Sequence, residues 1–198
     1  MNTWVHIAAT YDQQNIKLYY NGVLQAMTAN TSPLPNGTDE WRIGRRWDLA
    51  NYINGSADEI RIWNRALSAC EIQAGMNCEL SGTETGLKAY YQFNQGLAER
   101  PNTNQISLKD ATGNGYDGTL TNFTLTDTIS NFIAIGGVTT GTTCMNIAQT
   151  CGITYAAALD FDGTNDFVSL PSSTNINSAF TVEFWHKPIA GGGANPAI

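Results

Sequence analysis

Apolar and polar residues alternate along most of this chain, and a period of two is typical of β-strands with one buried face. Val5, Ile7 and Ala9 share one side of the first such run. A second run, residues 15–20, is followed at once by Asn21-Gly22, a pair that tolerates the positive φ angles of a tight turn. The pattern therefore predicts an antiparallel hairpin near the amino terminus.

Further strand patterns recur along the chain, with turn residues between them. They cover residues 40–44, 57–63, 87–93, 119–123, 159–161, 166–170 and 180–187. Glycine occurs 19 times and charged residues make up only 14%, a profile typical of a turn-rich β protein. The sequence predicts an all-β fold, namely an antiparallel β-sandwich of the jelly-roll type.

One segment departs from the strand period. Ser68 stands three residues before Glu71, which is the spacing of a capping box at the start of a helix. Gly75 is suited to end that helix. We therefore expect one short helix in an otherwise all-β chain.

The charge of the chain excludes some functions. The net charge is −7 and no basic stripe is present, so the sequence argues against nucleic-acid binding. No apolar run approaches the length of a membrane span, so we expect no membrane insertion. Dispersed acidic residues are compatible with calcium, which prefers oxygen ligands.

The four cysteines form two local pairs, Cys70 with Cys78 and Cys144 with Cys151. Neither pair has the spacing of a zinc site, and both histidines lie in strand-like runs. We expect two short-range disulfides in an oxidising compartment in preference to buried free thiols. This indicates an extracellular or cell-surface location.

Several motifs together resemble a known family. TWVHIAATYDQQNIKLYYNG, WRIGRR and INGSADEIRIWNRALSACEI resemble the back half of a laminin-G-like, or concanavalin A-like lectin/glucanase, jelly roll. ALDFDGTNDFVSLPSS and FTVEFWHKP resemble the front half of the same domain. The resemblance implies a module of the kind that recurs in tandem in bacterial secreted surface adhesins.

The order of these motifs is reversed with respect to a complete domain of that family. Residues 1–135 resemble the back part, residues 136–154 form a Gly/Thr-rich linker with a Cys pair, and residues 155–198 resemble the front strands. Either the chain is a slice of a tandem array, or it is a circularly permuted unit. We favour the slice, in which neighbouring repeats contact one another, if necessary by strand complementation.

The best metal candidate from the residues is the glycine-containing loop that carries Asp110, Asn114 and Asp117. Its oxygens could curl around a hard cation. The resemblance adds Asp58, since the acidic residue before this strand often lies near a structural calcium in that family. The alternative is a tight turn held by its own backbone hydrogen bonds, and the sequence does not decide between the two.

Asp58 and Glu59 are adjacent carboxylates, which raises the question of glycoside hydrolysis. Adjacent residues on a strand point to opposite faces and cannot flank one bond. No nucleophile elbow or phosphate loop is present either. We therefore expect no enzyme, and the rival interpretation of a catalytic laminarinase-like domain lacks its carboxylate motif.

The segment RRWDLANY is the best candidate for ligand binding. It places Trp47, Asp48, Asn51 and Tyr52 in one loop, where flat rings could stack on a sugar and polar groups could bind its hydroxyls. The alternative is that the two rings only cover the edge of the sandwich.

Together these features predict a non-catalytic, extracellular recognition or adhesion module of a large secreted or surface protein. Its expected partners are a glycan or another cell-surface ligand and the neighbouring repeats. Two alternatives stay open: a purely structural spacer of a surface filament, and an accessory carbohydrate-binding domain of a glycoside hydrolase.

Overall fold

The computed structural model describes residues 3–32, 34, 41–46, 51–98, 100–126, 128–134, 157–172, 176 and 178–189. The strands in these ranges are β1 (Val5–Tyr11), β2 (Asn15–Tyr20), β3 (Val23–Ala29), β4 (Arg42–Ile43), β5 (Asn54–Trp63), β6 (Leu87–Tyr91), β7 (Ser107–Leu108), β8 (Gly118–Thr121), β9 (Phe132–Ala134), β10 (Ala157–Asp162), β11 (Phe167–Ser169) and β12 (Phe180–Pro188). The helix α1 covers Ala69–Gly75.

The described strands form two antiparallel sheets. The larger has eight strands in the order β3-β2-β1-β12-β5-β10-β9, with β6 also paired to β5. The smaller has four strands in the order β4-β11-β8-β7. The prediction of an antiparallel β-sandwich with one short helix is confirmed.

The amino-terminal hairpin forms as its sequence predicts. Asn21 and Gly22 take φ angles of 48° and 74° at the turn between β2 and β3. The Asn21 side-chain oxygen also accepts a hydrogen bond from the backbone N–H of His6, at 2.9 Å. A side chain at position 22 would also meet Gln73 of the helix, so glycine serves both the turn and the packing.

The carboxy-terminal strands lie inside both sheets. β12 pairs with β1 on one edge and with β5 on the other. β10 lies between β5 and β9, and β11 lies between β4 and β8. Strands of 155–198 and strands of 1–135 thus form one sandwich within one chain. The predicted linker, residues 136–154, lies outside the described residues, and the tandem arrangement of the parent protein stays a prediction.

The larger sheet has a hydrophobic core on each face. The inner core lies between the two sheets and is formed by Ala57, Ile60, Ile62, Ala89, Tyr91, Phe93, Leu108, Leu125, Phe132, Ala157, Leu159, Phe161, Val168, Leu170 and Ile176. The outer core lies under α1 and is formed by Ala8, Tyr19, Trp63, Leu67, Ile72, Leu80, Leu87 and Tyr90. Most strands of this sheet therefore need apolar residues on both sides.

A buried ionic network interrupts the apolar packing under α1. The Arg61 guanidinium lies 2.7 Å from Glu59 and 3.6 Å from Glu183. Its N–H groups also donate to the backbone oxygens of Gly75 and Cys78. Burial, followed by the charge of Arg61, lowers the pKa of His6 to about 3, so this histidine is neutral in the folded protein.

The helix begins and ends as predicted. Ser68 is the N-cap, its hydroxyl accepts from Glu71 N–H, and the Glu71 carboxylate accepts from Ser68 N–H, which completes the capping box. Ile72 is fully buried and fixes the helix on the outer core. In the described part of the chain no helix has the length and apolar character that a membrane crossing requires.

The predicted disulfide between Cys70 and Cys78 is wrong. Cys70 is a free, exposed cysteine. Cys78 is buried and disulfide-bonded. The cause is α1, which begins at Ala69 and turns Cys70 towards solvent while the chain after the helix enters the core. Cys144 and Cys151 lie outside the described residues.

We predict that Phe184→Asp unfolds the protein. Phe184 is opposite Ile7 in the β1–β12 register and packs against the inner core. A carboxylate there would lose apolar burial and lie unpaired, at a cost of about 3 kcal/mol or more. Phe184→Leu is the control and should cost about 1.5 kcal/mol or less. Urea denaturation followed by circular dichroism measures both, and an unchanged midpoint for Phe184→Asp contradicts the inserted position of β12.

Candidate functional site

A groove of about 440 Å³ opens between the larger sheet and β4. Its walls are formed by Ile7, Ala9, Trp41, Arg42, Ile43, Gly44, Arg45, Arg46, Ile53, Ala57, Ile60, Ile62, Leu170, Phe180, Val182 and Phe184. The floor is apolar, and three arginines from the single segment 42–46 stand on one side of it.

Two of the residues predicted to bind a ligand lie on the arginine side of the groove. Tyr52 forms an antiparallel bridge with Arg45, and the carbonyl of Asn51 accepts from Arg46 N–H at 3.0 Å. The Arg45 guanidinium lies over the Tyr52 ring at 5.5 Å and over the Phe167 ring at 4.7 Å. Trp47 and Asp48, the other two predicted residues, lie outside the described residues.

The arrangement at Arg45 can bind an anionic group. Its buried Nε has no hydrogen-bond partner among the described residues. A guanidinium held between two rings is fixed in orientation, and guanidinium binds planar oxyanions in a bidentate manner. The groove thus combines an apolar floor with a positively charged lip, formed by Arg42, Arg45 and Arg46.

In the predicted metal loop, the carboxylate oxygens of Asp110 accept hydrogen bonds from the loop itself and from the neighbouring strand. The two carboxylate oxygens of Asp110 accept from Tyr90 N–H and Thr112 N–H at 3.1 Å each, from Tyr116 N–H at 3.2 Å, and from the Thr112 hydroxyl at 2.8 Å. This is the hydrogen-bonded turn that the sequence left open as the alternative to calcium.

The other two residues of the loop are likewise engaged. Asp117 accepts from Asp110 N–H at 2.9 Å and from the Lys109 ammonium at 2.5 Å, and the lysine lowers the pKa of Asp117. The Asn114 amide donates to Lys88 O at 2.9 Å. As they lie, these residues do not fit a calcium ion, since an ammonium group occupies the Asp117 carboxylate. Calcium stays a prediction.

The structure does not join Asp58 to that loop. The charged groups that act on Asp58 are Glu59, Arg61 and Glu79. Across the described ranges no set of three or more His, Cys, Asp or Glu side chains is arranged to hold a metal ion.

The argument that Asp58 and Glu59 point to opposite faces is wrong at this position. The β5–β12 register shifts here, and Glu59 takes a φ of 53°, as at a β-bulge. The two carboxylates consequently interact with each other and with Glu79. Glu59 accepts from Arg61 at 2.7 Å and from the Tyr90 hydroxyl at 2.5 Å.

Asp58 is the less satisfied member of this pair. It is 2% exposed, and its Oδ1 has no hydrogen-bond partner among the described residues. Burial, followed by the charge of Glu59, raises the pKa of Asp58 well above its usual value. Neither Asp58 nor Glu59 lines the groove.

A family model described as the concanavalin A-like lectin/glucanases superfamily matches residues 1–73. The matched part contains β1 to β5, β4 and the arginine side of the groove among them. Over residues 1–73 the chain is similar to that superfamily. The search of curated proteins and the search of solved structures each found no match.

A concanavalin A-like lectin/glucanase match supports a carbohydrate-binding or structural module. Sequence reasoning placed Asn51 and Tyr52 near a ligand site and missed the arginines beside them. The signal was present in WRIGRR, which holds three of the chain's ten basic residues.

We predict that Asp110→Ala lowers stability by the same amount with calcium and with chelator. Asp110 accepts several hydrogen bonds that hold the loop, so their loss should cost about 2–3 kcal/mol. Asp110→Asn, which keeps one oxygen acceptor, is the milder control. Thermal unfolding in both buffers measures the effect, and a clearly larger loss in calcium would place the ion at this loop.

We predict that Asp58→Asn becomes increasingly stabilising as pH rises from about 4 to about 8. The folded-state pKa of Asp58 is raised, so the folded protein binds this proton more tightly than the unfolded chain. Wild-type stability therefore falls with rising pH up to the folded pKa, by at most about 1.4 kcal/mol per pH unit from this group. The amide side chain of the variant does not titrate, so the stability of the variant does not fall in this way as pH rises.

Asp12→Asn is the matched control for this pH experiment. The hydrogen bond from Lys17 lowers the pKa of Asp12 to about 2, so the group is ionised in the folded protein across this range. Its effect should hardly vary with pH above about 5. Urea denaturation at several pH values measures both variants, and a pH-independent difference between wild type and Asp58→Asn refutes the assignment.

Proposed function

We propose that this protein is a non-catalytic, extracellular recognition module that binds acidic glycans at the groove beside β4. The observation that carries the proposal is the Arg45 guanidinium, held between Tyr52 and Phe167 at the lip of an open groove. The concanavalin A-like match of residues 1–73 supports carbohydrate as the ligand class.

The chemistry of the lip favours glycans with carboxylate or sulfate groups. Arginine binds such groups in two parallel hydrogen bonds, and Trp41 supplies a partly buried ring beside Arg42. A flat aromatic or apolar wall binds the apolar face of a sugar ring. The positive charge of the arginines favours a sugar that carries a carboxylate or sulfate group. An acidic chain, at −7 overall, would repel such a ligand except where basic residues cluster.

The state of Cys78 supports an extracellular location. It is disulfide-bonded, and disulfides persist in oxidising compartments. The composition agrees, because charged residues make up only 14% of the chain and glycine is abundant. Such a composition is typical of turn-rich secreted domains.

The engagement of the acidic pair supports a non-catalytic role. Glu59 accepts hydrogen bonds from Arg61 and Tyr90, and Asp58 is buried under α1. A glycosidase needs two carboxyl groups on either side of a bond in an accessible cleft. Neither Asp58 nor Glu59 lines the groove.

A second function, as a structural repeat that connects neighbouring repeats, is favoured by the position of β12. This strand is required between β1 and β5, and an equivalent strand from an adjacent repeat could occupy the same place. In that case the groove would carry no ligand, and contacts between repeats would be the function of the module.

We predict that Arg45→Ala and Tyr52→Ala each weaken binding to uronic-acid or sulfated glycans about tenfold, or about 1.4 kcal/mol. Arg65→Ala is the matched control, because Arg65 also stacks on a ring, Trp63 at 5.3 Å, but lies away from the groove. A glycan array followed by titration calorimetry measures binding. The same glycans should release no reducing ends.

Three results would count against this proposal. Wild-type protein that binds no glycan would leave the structural repeat as the function. An equal loss in Arg65→Ala would mean that binding is non-specific. Turnover that Glu59→Gln abolishes would restore the catalytic interpretation.

A further inference from the structure

The floor of the groove is formed by one face of three adjacent strands, β1, β12 and β5. β12 contributes Phe180, Val182 and Phe184, and β1 contributes Ile7 and Ala9. Residues rise about 3.3 Å each along a strand, so the floor is about 13 Å long between Phe180 and Phe184. This is a surface on which a small molecule could lie lengthwise.

β5 completes the floor because of its bulge. Ala57, Ile60 and Ile62 of this strand line the groove. In a regular strand Ala57 and Ile60 would point to opposite faces, since an odd number of residues separates them in register. The bulge at Glu59 inserts one extra residue and brings both side chains to the groove. The three strands consequently present only apolar side chains to the floor.

The groove face of β12 is less covered than its other face. Val182 and Phe184 are only half-buried, whereas Thr181 and Glu183 on the side of α1 are 0% and 1% exposed. In a sandwich the apolar face of a central strand normally packs against the second sheet. A concave apolar surface that the fold leaves partly open is typical of a ligand site.

The floor cannot satisfy a sugar. Among the described residues that line the groove, the arginines of the lip are the only charged ones, and none has a hydroxyl, amide or carboxylate side chain. The backbone of β12 is already paired on both edges. Sugar hydroxyls taken out of water on this floor would lose their hydrogen bonds, which costs free energy. A sugar held by the arginines therefore stays at the lip, and the floor is left for an apolar part of the ligand.

We propose that the ligand is an acidic sugar with an attached alkyl or acyl chain, the chain lying on the floor along β12 and the acidic group at Arg45. This inference rests on the proposed function for the sugar and its charge, and adds the chain. Arg45 lies over Tyr52 and Phe167, and its buried Nε has no hydrogen-bond partner among the described residues. The guanidinium fixes the anionic end, while the chain needs only apolar contact.

The dimensions of the groove set the length of chain that it can hold. Its volume of about 440 Å³ is within the usual range for small-molecule sites. An extended octyl chain is shorter than the floor. Each methylene that becomes buried should strengthen binding about fourfold, until the chain reaches the end of the floor.

The test uses four glycosides, methyl and octyl β-glucuronide and methyl and octyl β-glucoside, titrated by calorimetry below their critical micelle concentrations. Octyl glucuronide should bind at least about a hundredfold more tightly than methyl glucuronide. Its binding should also show the more negative heat-capacity change, because more apolar surface is buried. The acidic group should make octyl glucuronide bind about tenfold more tightly than octyl glucoside.

Ala9→Phe tests whether the chain lies on the floor. Ala9 is half-buried and lines the groove, so a benzyl group there would occupy the space of the chain. The octyl-to-methyl ratio of affinities should fall at least about tenfold. Ala26→Phe is the matched control, because Ala26 is exposed on β3 and does not line the groove, and it should keep the wild-type ratio. Circular dichroism establishes that both variants are folded.

The four glycosides separate this inference from the proposed function. Equal binding of methyl and octyl glucuronide overturns the inference, leaves the proposed function intact, and leaves the floor to an apolar segment of a protein. An octyl-to-methyl ratio that Ala9→Phe does not change also overturns it. A chain effect without preference for the acidic sugar supports the apolar site and overturns the proposed function. If none of the four binds, both are overturned.

Discussion

The structure depends on the insertion of β12 between β1 and β5. The registers on its two edges run from Val5–His186 to Tyr11–Phe180 and from Gly55–Pro188 to Trp63–Thr181. Without β12, the amino-terminal hairpin would have no connection to the rest of the larger sheet. Glu183 and Trp185 on this strand also reach the network around Arg61 and the segment after α1. One strand thus holds together both faces of the sheet.

The buried charges under α1 contribute more to the way β5, β12 and α1 are arranged than to the free energy of unfolding. A buried ion pair often offsets little more than the cost of removing its charges from water. Arg61 nevertheless links β5, Glu183 of β12 and the carbonyl groups of Gly75 and Cys78. Any other register of β12 would separate the buried Glu183 carboxylate from this guanidinium, which disfavours slippage of the strand. The network therefore favours the observed register between β12 and β5.

Local elements could be predicted from the sequence because local residues determine them. The Asn21-Gly22 turn and the Ser68 capping box need only their neighbours, and both formed as expected. The bulge at Glu59 could not be predicted, since it arises from pairing with a strand more than a hundred residues away. The pairing of Cys70 failed for a related reason. Nearness in sequence indicated a bond, and the helix turned the side chain outward. For the candidate groove, the sequence pointed to the neighbouring Asn51 and Tyr52 but not to the arginines that line it.

The interleaving of the two ends of the chain has a consequence for how the protein is made. Val5 cannot meet His186 until the chain up to β12 has left the ribosome, so the larger sheet can be completed only after β12 has been synthesised. Folds dominated by such distant contacts fold slowly. During this interval β1, β2 and β3 can pair with one another. The strands that they pack against are absent, so their apolar faces are exposed to solvent. The part of the chain before β12 is therefore most exposed to proteases and to aggregation in the interval before β12 becomes available.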